Sequence, residues 1–254
     1  MNVFKMFSLC FYKALKSKQI SKNNIYHYVI DPFLTAVIFC LMNQKQDMRM
    51  VVIGISIMAF WSINIFECSY LVIDERAYGT LGSILISPFR TQFILFSEIF
   101  TVMLLNIPVI IAVFLGGYCI HPYSLFIEKW WLFLLAYFLC ILSISSIGLM
   151  IAVFLLFVRS ARGIMNIIEY PFYLLSGILV PTEQLPVPFQ WISKCLPTTY
   201  AFRMFQMAFD KNTVGVSENL VRCLLGIVMF HFFIAIMIKF TERQALIKGT
   251  IELY

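Results

Sequence analysis

Six apolar stretches, at about 26–42, 50–73, 93–120, 130–158, 164–180 and 220–238, take up most of the chain. Each approaches or exceeds the roughly 20 residues that a helix needs to cross the hydrocarbon core of a bilayer, and this constrains the fold more than any motif. Only 13% of the residues are charged, against about a quarter in soluble domains, and the mean hydropathy is +0.88. The expected fold is an all-α membrane protein with six transmembrane helices, one polytopic domain over 1–254. That leaves no room for a soluble catalytic domain. The basic N-terminus lacks an apolar core followed by a small-residue cleavage site, so a removable signal peptide is not expected.

Residues 1–24 read as an amphipathic helix lying on the membrane surface, with Phe4, Phe7, Phe11, Ala14 and Leu15 on one face and Lys5, Lys13 and Lys16 on the other. A basic flank that merely sets topology would look the same. Within the first span, Asp31-Pro32 reads as a helix N-cap followed by proline at the first helical position. A helix starting there is too short to cross, unless a kinked turn precedes Pro32 or the bilayer is thin. The second span carries Glu67, which would cost about 2.5–3.5 kcal/mol at a bilayer centre and so belongs against protein, water or headgroups. Asn106 and Pro108 interrupt the third span, and Trp130-Trp131 open the fourth at an interface. The fifth is broken by Glu169 and Pro171. It leads into a proline-rich segment, 181–217, that is too apolar for a free loop and reads as re-entrant helices.

The focal stretch is 73–88, Ile73-Asp74-Glu75-Arg76-Ala77-Tyr78-Gly79-Thr80-Leu81 through Ser87-Pro88, a charged segment wedged between two spans. Its charges are expected to stay hydrated just outside the bilayer, where a short helix can touch another protein. Six crossings set both termini on one side. Grouping them with the 74–97 and 159–163 connections collects twelve of the 19 Lys and Arg residues, so that face is expected to be cytoplasmic. The same bias accounts for the net charge of +6 without nucleic acid.

Some chemistry is missing. No G-x-x-x-x-G-K-[ST] phosphate loop occurs, so if ATP drives this protein another chain binds it. No H-E-x-x-H or G-x-S-x-G occurs; His27, His121 and His231 lack metal-ligand spacing and read as packed or interfacial. Seven dispersed cysteines argue against a disulfide framework or zinc site. Glu67 and Glu169 form a possible intramembrane polar site, with Glu67 the candidate carrier if transport were proton-coupled; Glu98 and Glu169 lie close to a helix end. Asn106, Ser143, Ser145 and Ser146 read as helix–helix hydrogen-bond partners. An enzyme acting on lipid would need a polar catalytic cluster that the sequence does not offer, and a purely structural role is the remaining alternative.

Glu75-Arg76-Ala77-Tyr78-Gly79-Thr80-Leu81 with Ser87-Pro88 resembles the E-R-E-x-G-T-L-E…S/T-P segment of permease subunits of type 2 ATP-binding-cassette exporters. Ser176-Gly177-Ile178-Leu179-Val180-Pro181, followed by Leu196-Pro197-Thr198-Thr199-Tyr200 and Arg203, resembles that family's S-G-x-x-x-P…L-P…R region. Ala77 and Gly82 depart from the pattern, where the family carries acids. The resemblance implies a cytoplasmic coupling helix within 74–92, docking on an ATPase subunit through Asp74, Glu75, Arg76, Gly79, Thr80, Leu81 and Pro88. It also implies an outer gate of re-entrant extracellular helices drawing on Ser176, Gly177, Pro181, Leu196, Pro197, Tyr200, Phe202, Arg203 and Phe205. ATP and magnesium would act through the ATPase partner, with no cofactor held by this chain. A second permease chain, identical or different, would complete an exporter in the cytoplasmic (inner) membrane, surrounded by its lipids. The cargo implied is an amphiphile (drug, antimicrobial peptide or lipid), or alternatively a lipid-linked polysaccharide.

Overall fold

The computed structural model describes residues 8–9, 12, 26–43, 48–79, 82, 91–120, 127–155, 167, 170–178, 182–209 and 215–248. Among them there is no strand. The helices are α1 (Asp31–Met42), α2 (Met48–Ala77), α3 (Thr91–Leu105), α4 (Ile107–Ile120), α5 (Trp130–Leu155), α6 (170–175), α7 (Val187–Cys195), α8 (Pro197–Met207) and α9 (Val216–Lys248), with a 3-10 turn at Thr182–Gln184. Four stretches among the described residues are long and apolar enough to cross a membrane: Met48–Glu67, Thr91–Ile120, Trp130–Leu155 and Val216–Phe240; Tyr26–Met42 is a shorter apolar helix. The fifth expected span, 164–180, is described only at 167 and 170–178, and nearly all of the surface helix at 1–24 lies outside the described residues.

Asp31 is not an N-cap. Helical geometry starts earlier, in a π-turn over Tyr26–Ile30, and Ile30 preceding Asp31 is itself in the right-handed helical region. Proline cannot donate to the carbonyl four residues back and its ring crowds that carbonyl, so a wider turn ahead of Pro32 relieves both problems. The kinked turn lengthens the first apolar helix to Tyr26–Met42. The same chemistry splits the third span. Pro108 ends the regular ladder, a turn forms at Asn106, and the Asn106 amide bonds Met103 O at 3.2 Å while Val109 N bonds Asn106 O at 3.0 Å. Two other helices outrun their sequence-based limits: α2 continues to Ala77 and α9 to Lys248, because no proline or glycine stops either one sooner.

The helix at the centre is α5, packed against α2, α3, α8 and α9. Its membrane-length window is 78% buried, against 22% for that of α9. Small residues explain the difference: Ala136, Ser143, Ser145, Ser146, Gly148 and Ala152 are all buried and let neighbouring backbones come close. Inside a bilayer the lipid is as apolar as a leucine, so close van der Waals packing drives association of helices. Its three serines return their hydroxyl protons to their own helix, to Leu139 O (2.7 Å), Ile141 O (2.7 Å) and Leu142 O (2.8 Å), so each is buried at little cost.

A close backbone approach joins α1 to α4. A Cβ built on Gly116 would lie 2.7 Å from the carbonyl oxygen of Phe33 and 3.0 Å from the Ala36 Cβ. A Cβ on Gly54 would meet nothing nearer than 3.8 Å. Gly116→Ala is therefore expected to destabilise the fold by about 1–3 kcal/mol, while Gly54→Ala leaves it nearly unchanged. Thermal unfolding of both variants in detergent checks this; equal melting temperatures would refute the close α1–α4 crossing.

Candidate functional site

Asn64, Glu67, Leu71 and Glu75 follow one another at three- and four-residue steps along α2, so they share one face of the helix. That face looks into the bundle. Asn64 is wholly buried, Leu71 packs against the main apolar core, and Glu75 is 7% exposed. The hydration expected for Glu75 is thus not observed, because the helix carries it inward on the same face as Glu67.

Glu67 is the centre of a polar cluster joining three helices. The Tyr28 hydroxyl, on the π-turn before α1, donates to Glu67 Oε1. The Asn106 amide donates to Glu67 Oε2 at 2.7 Å and to Asn64 Oδ1 at 2.9 Å, and Asn64 Nδ2 donates to Phe60 O at 2.5 Å. Asn106 sits at the break that Pro108 makes, so a local defect in the third span becomes the junction between α2 and the first span. Tyr28 was not singled out in the sequence: it lies 39 residues from its partner and no periodicity links them. Elsewhere His231 on α9 joins α3 and α5, taking a bond from Gln92 at its carbonyl (3.0 Å) and meeting Gln92 and Ser146 at its ring nitrogens (3.3 and 3.2 Å). Its packed role is the one the sequence suggested. Among the described residues no three His, Cys, Asp or Glu side chains converge to hold a metal ion.

The coupling stretch is described only at its beginning. Asp74 and Arg76 fall in the last turns of α2, which ends in the turn Tyr78–Gly79; Gly79 has φ +67°, the left-handed conformation that closes helices and favours glycine. Tyr78 is 78% exposed at this end. Thr80, Leu81 and Pro88 lie outside the described residues, as do Glu169 and Pro181.

The remaining candidates come together around α8. Ser176 is buried and donates to Tyr173 O, and Gly177 takes the left-handed φ of +80° that ends α6. Leu196 and Pro197 begin α8, which buries Tyr200, Phe202 and Phe205 against α5 and α9. Phe205 meets Phe133 at 4.9 Å between ring centroids. The Tyr200 hydroxyl donates to Lys194 O (2.8 Å) and so ties α8 to α7. Arg203 Nη2 donates to Thr182 Oγ1 (2.6 Å) and Glu183 Oε1 (2.7 Å), fastening the 3-10 turn to α8. Thr182 and Glu183 escaped notice in the sequence because they precede Arg203 by about 20 residues with no local spacing to link them. The end of the bundle is shared by α2 and α5, since Arg49 Nη1 donates to Phe209 O (3.4 Å) and Lys129 N to Ala208 O (3.1 Å).

Glu183's own backbone N–H, then the Thr182 hydroxyl and Arg203, hold its carboxyl below the ordinary glutamate range despite some desolvation. A carboxyl lowered in the fold stabilises it fully at neutral pH and loses that contribution as pH falls through the lowered value. Glu183→Gln is therefore expected to melt lower than wild type at pH 7 and to converge with it as the pH falls through that lowered value. Melting curves against pH check this; a constant difference would remove the clamp. Separately, Asn106→Leu takes the donor from Glu67 and Asn64 and is expected to cost about 1–2 kcal/mol. Unchanged thermal stability would show that the cluster does not hold the three helices together.

A family described as ABC-2 type transporter matches residues 6–210 of the chain. The chain is also similar to a protein of Cyanophora paradoxa named "Putative transport permease ycf38", 25% identical over 207 residues, covering 76% of this chain and 70% of that one.

Proposed function

The chain belongs to the ABC-2 type transporter family, and we propose that it is the membrane-spanning subunit of an ATP-driven exporter whose nucleotide-binding sites reside in a separate ATPase chain. The observation that carries the reading is the course of α2. One uninterrupted helix of 30 residues runs from the Arg49 end of the bundle, past Asn64 and Glu67, to the turn at Tyr78 and the left-handed Gly79. A rigid rod with its far end exposed and its middle bonded to Tyr28 and Asn106 is suited to transmit a push to the helices around it. On this reading 74–92 is the cytoplasmic coupling segment, met by the ATPase at Asp74, Arg76, Gly79, Thr80, Leu81 and Pro88, with the inward-facing Glu75 bracing it from behind.

The same reading supplies the finer architecture. Six crossings form a single permease domain over 1–254, with 1–24 on the surface and both termini in the cytoplasm. The 181–217 segment re-enters from the outside and closes the path, with Phe202 and Phe205 as its packed wedge. Two permease chains, identical or different, flank the path in the cell membrane; ATP and magnesium act through the ATPase. We favour an amphiphile as cargo over a polysaccharide, on the apolar character of the surfaces. Glu67 is assigned a structural role, since the Tyr28 and Asn106 donors suit a pin more than a proton carrier.

Affinity capture of the tagged protein in mild detergent tests the proposal, with ATPase activity assayed in the recovered material. Wild type is expected to bring down an ATPase subunit. Tyr78→Lys, at an exposed position, and Gly79→Pro, at a φ that proline cannot adopt, should lose most of that activity while still reaching the membrane. Glu75→Lys should do the same, with folding checked because Glu75 is buried. Wild-type capture without any nucleotide-binding partner would sink the exporter reading.

A further inference from the structure

Between α1 and α2, closed on one side by α6, runs a groove of about 230 Å³ lined by Asp31, Pro32, Thr35 and Phe39, by Ile55, Met58, Ala59, Ser62 and Ile63, and by Tyr173. The lining is ordered. Asp31, Thr35 and Phe39 are successive turns of α1, and Ser62, Ala59 and Ile55 are successive turns of α2 read in the opposite direction. The Tyr28–Glu67 bond at one end and the shared cluster of Cys40, Met48 and Val52 at the other set the two helices antiparallel, so Asp31 lies level with Ser62 and Ile63, and Phe39 with Ile55. One end of the groove therefore holds a carboxylate and two hydroxyls. The other end is aliphatic and aromatic, and the two ends together span about 12 Å of helix from Asp31 to Phe39.

Asp31 is the unusual member. It sits about 8 Å inside the first apolar helix, where an aspartate is costly, and it is exposed on the groove side. Among the described residues it has no ion-pair partner and no basic residue lines the groove. Since it caps no helix, the local explanation for its presence is gone. The carboxylate calls for a cation, and the apolar end calls for a chain. We propose that this groove binds a cationic amphiphile, its ammonium head against Asp31, Thr35 and Ser62 and its aliphatic chain along Phe39 and Ile55. Resting on the exporter reading, this names the cargo class as single-chain amphiphiles with an amine or quaternary ammonium head, taken up laterally from the membrane.

The test is equilibrium binding of radiolabelled dodecyltrimethylammonium to the tagged full-length protein in neutral maltoside micelles, read by scintillation proximity. Radiolabelled dodecanol serves as the uncharged probe of equal chain length. Wild type is expected to bind the cation saturably and more tightly than dodecanol. Asp31→Asn should weaken cation binding about tenfold and leave dodecanol unchanged, whereas Asp31→Glu should stay within about threefold of wild type. Equal binding of the two probes by wild type, or cation binding by Asp31→Asn within about twofold of wild type, would overturn the proposal. The measurement needs no ATPase chain. Failure here with the ATPase still captured overturns the groove alone, and binding without an ATPase partner overturns the exporter reading alone.

Discussion

In hydrocarbon there is no water to accept a stray hydrogen bond, and the arrangement of this protein depends on how it meets that condition. The break at Asn106 is the clearest case. Pro108 removes a backbone donor in mid-span, and at the turn beside it the Asn106 side-chain amide donates to Glu67 and Asn64. A carboxylate that would be expensive in lipid is instead held by Asn106 from one helix and Tyr28 from another. The cluster thereby links the first span, α2 and the α3–α4 junction at one level, and α2 extends beyond it to Ala77.

Packing follows a second condition. Apolar residues gain little from leaving lipid for protein, so helices come together where small residues allow backbones to approach. Gly116 against Phe33 and the serines of α5 are such places. The result is uneven: α5 is enclosed, whereas Leu225, Val228 and Phe232 of α9 remain open on a broad apolar face.

The α6–α8 region is fastened by a different chemistry. Here charged and hydroxyl groups occur together, Arg203 with Thr182 and Glu183, and Tyr200 with a helix-end carbonyl. Charge-assisted bonds of this kind are directional and break cooperatively. Apolar packing of Phe202 and Phe205 on α5 holds α8 in place, and the polar clamp sets its orientation to the 3-10 turn.

Composition and run length by themselves determined that the chain is helical and spans a membrane, because the bilayer admits only helices or closed barrels and demands about 20 apolar residues per crossing. Local chemistry was legible too, in Pro108 breaking the third span, the short proline-led helices after the fifth, and the two family motifs around Glu75 and Ser176. What the sequence left open were relations between distant residues. Whether Asp31 caps a helix or faces a groove, whether Glu75 is hydrated or buried, and that Tyr28 meets Glu67 or Thr182 meets Arg203, all depend on helix phase and neighbour choice. Those are decided only when the helices pack, since a side chain's partner in a bundle is set by which face turns inward and not by its place in the chain.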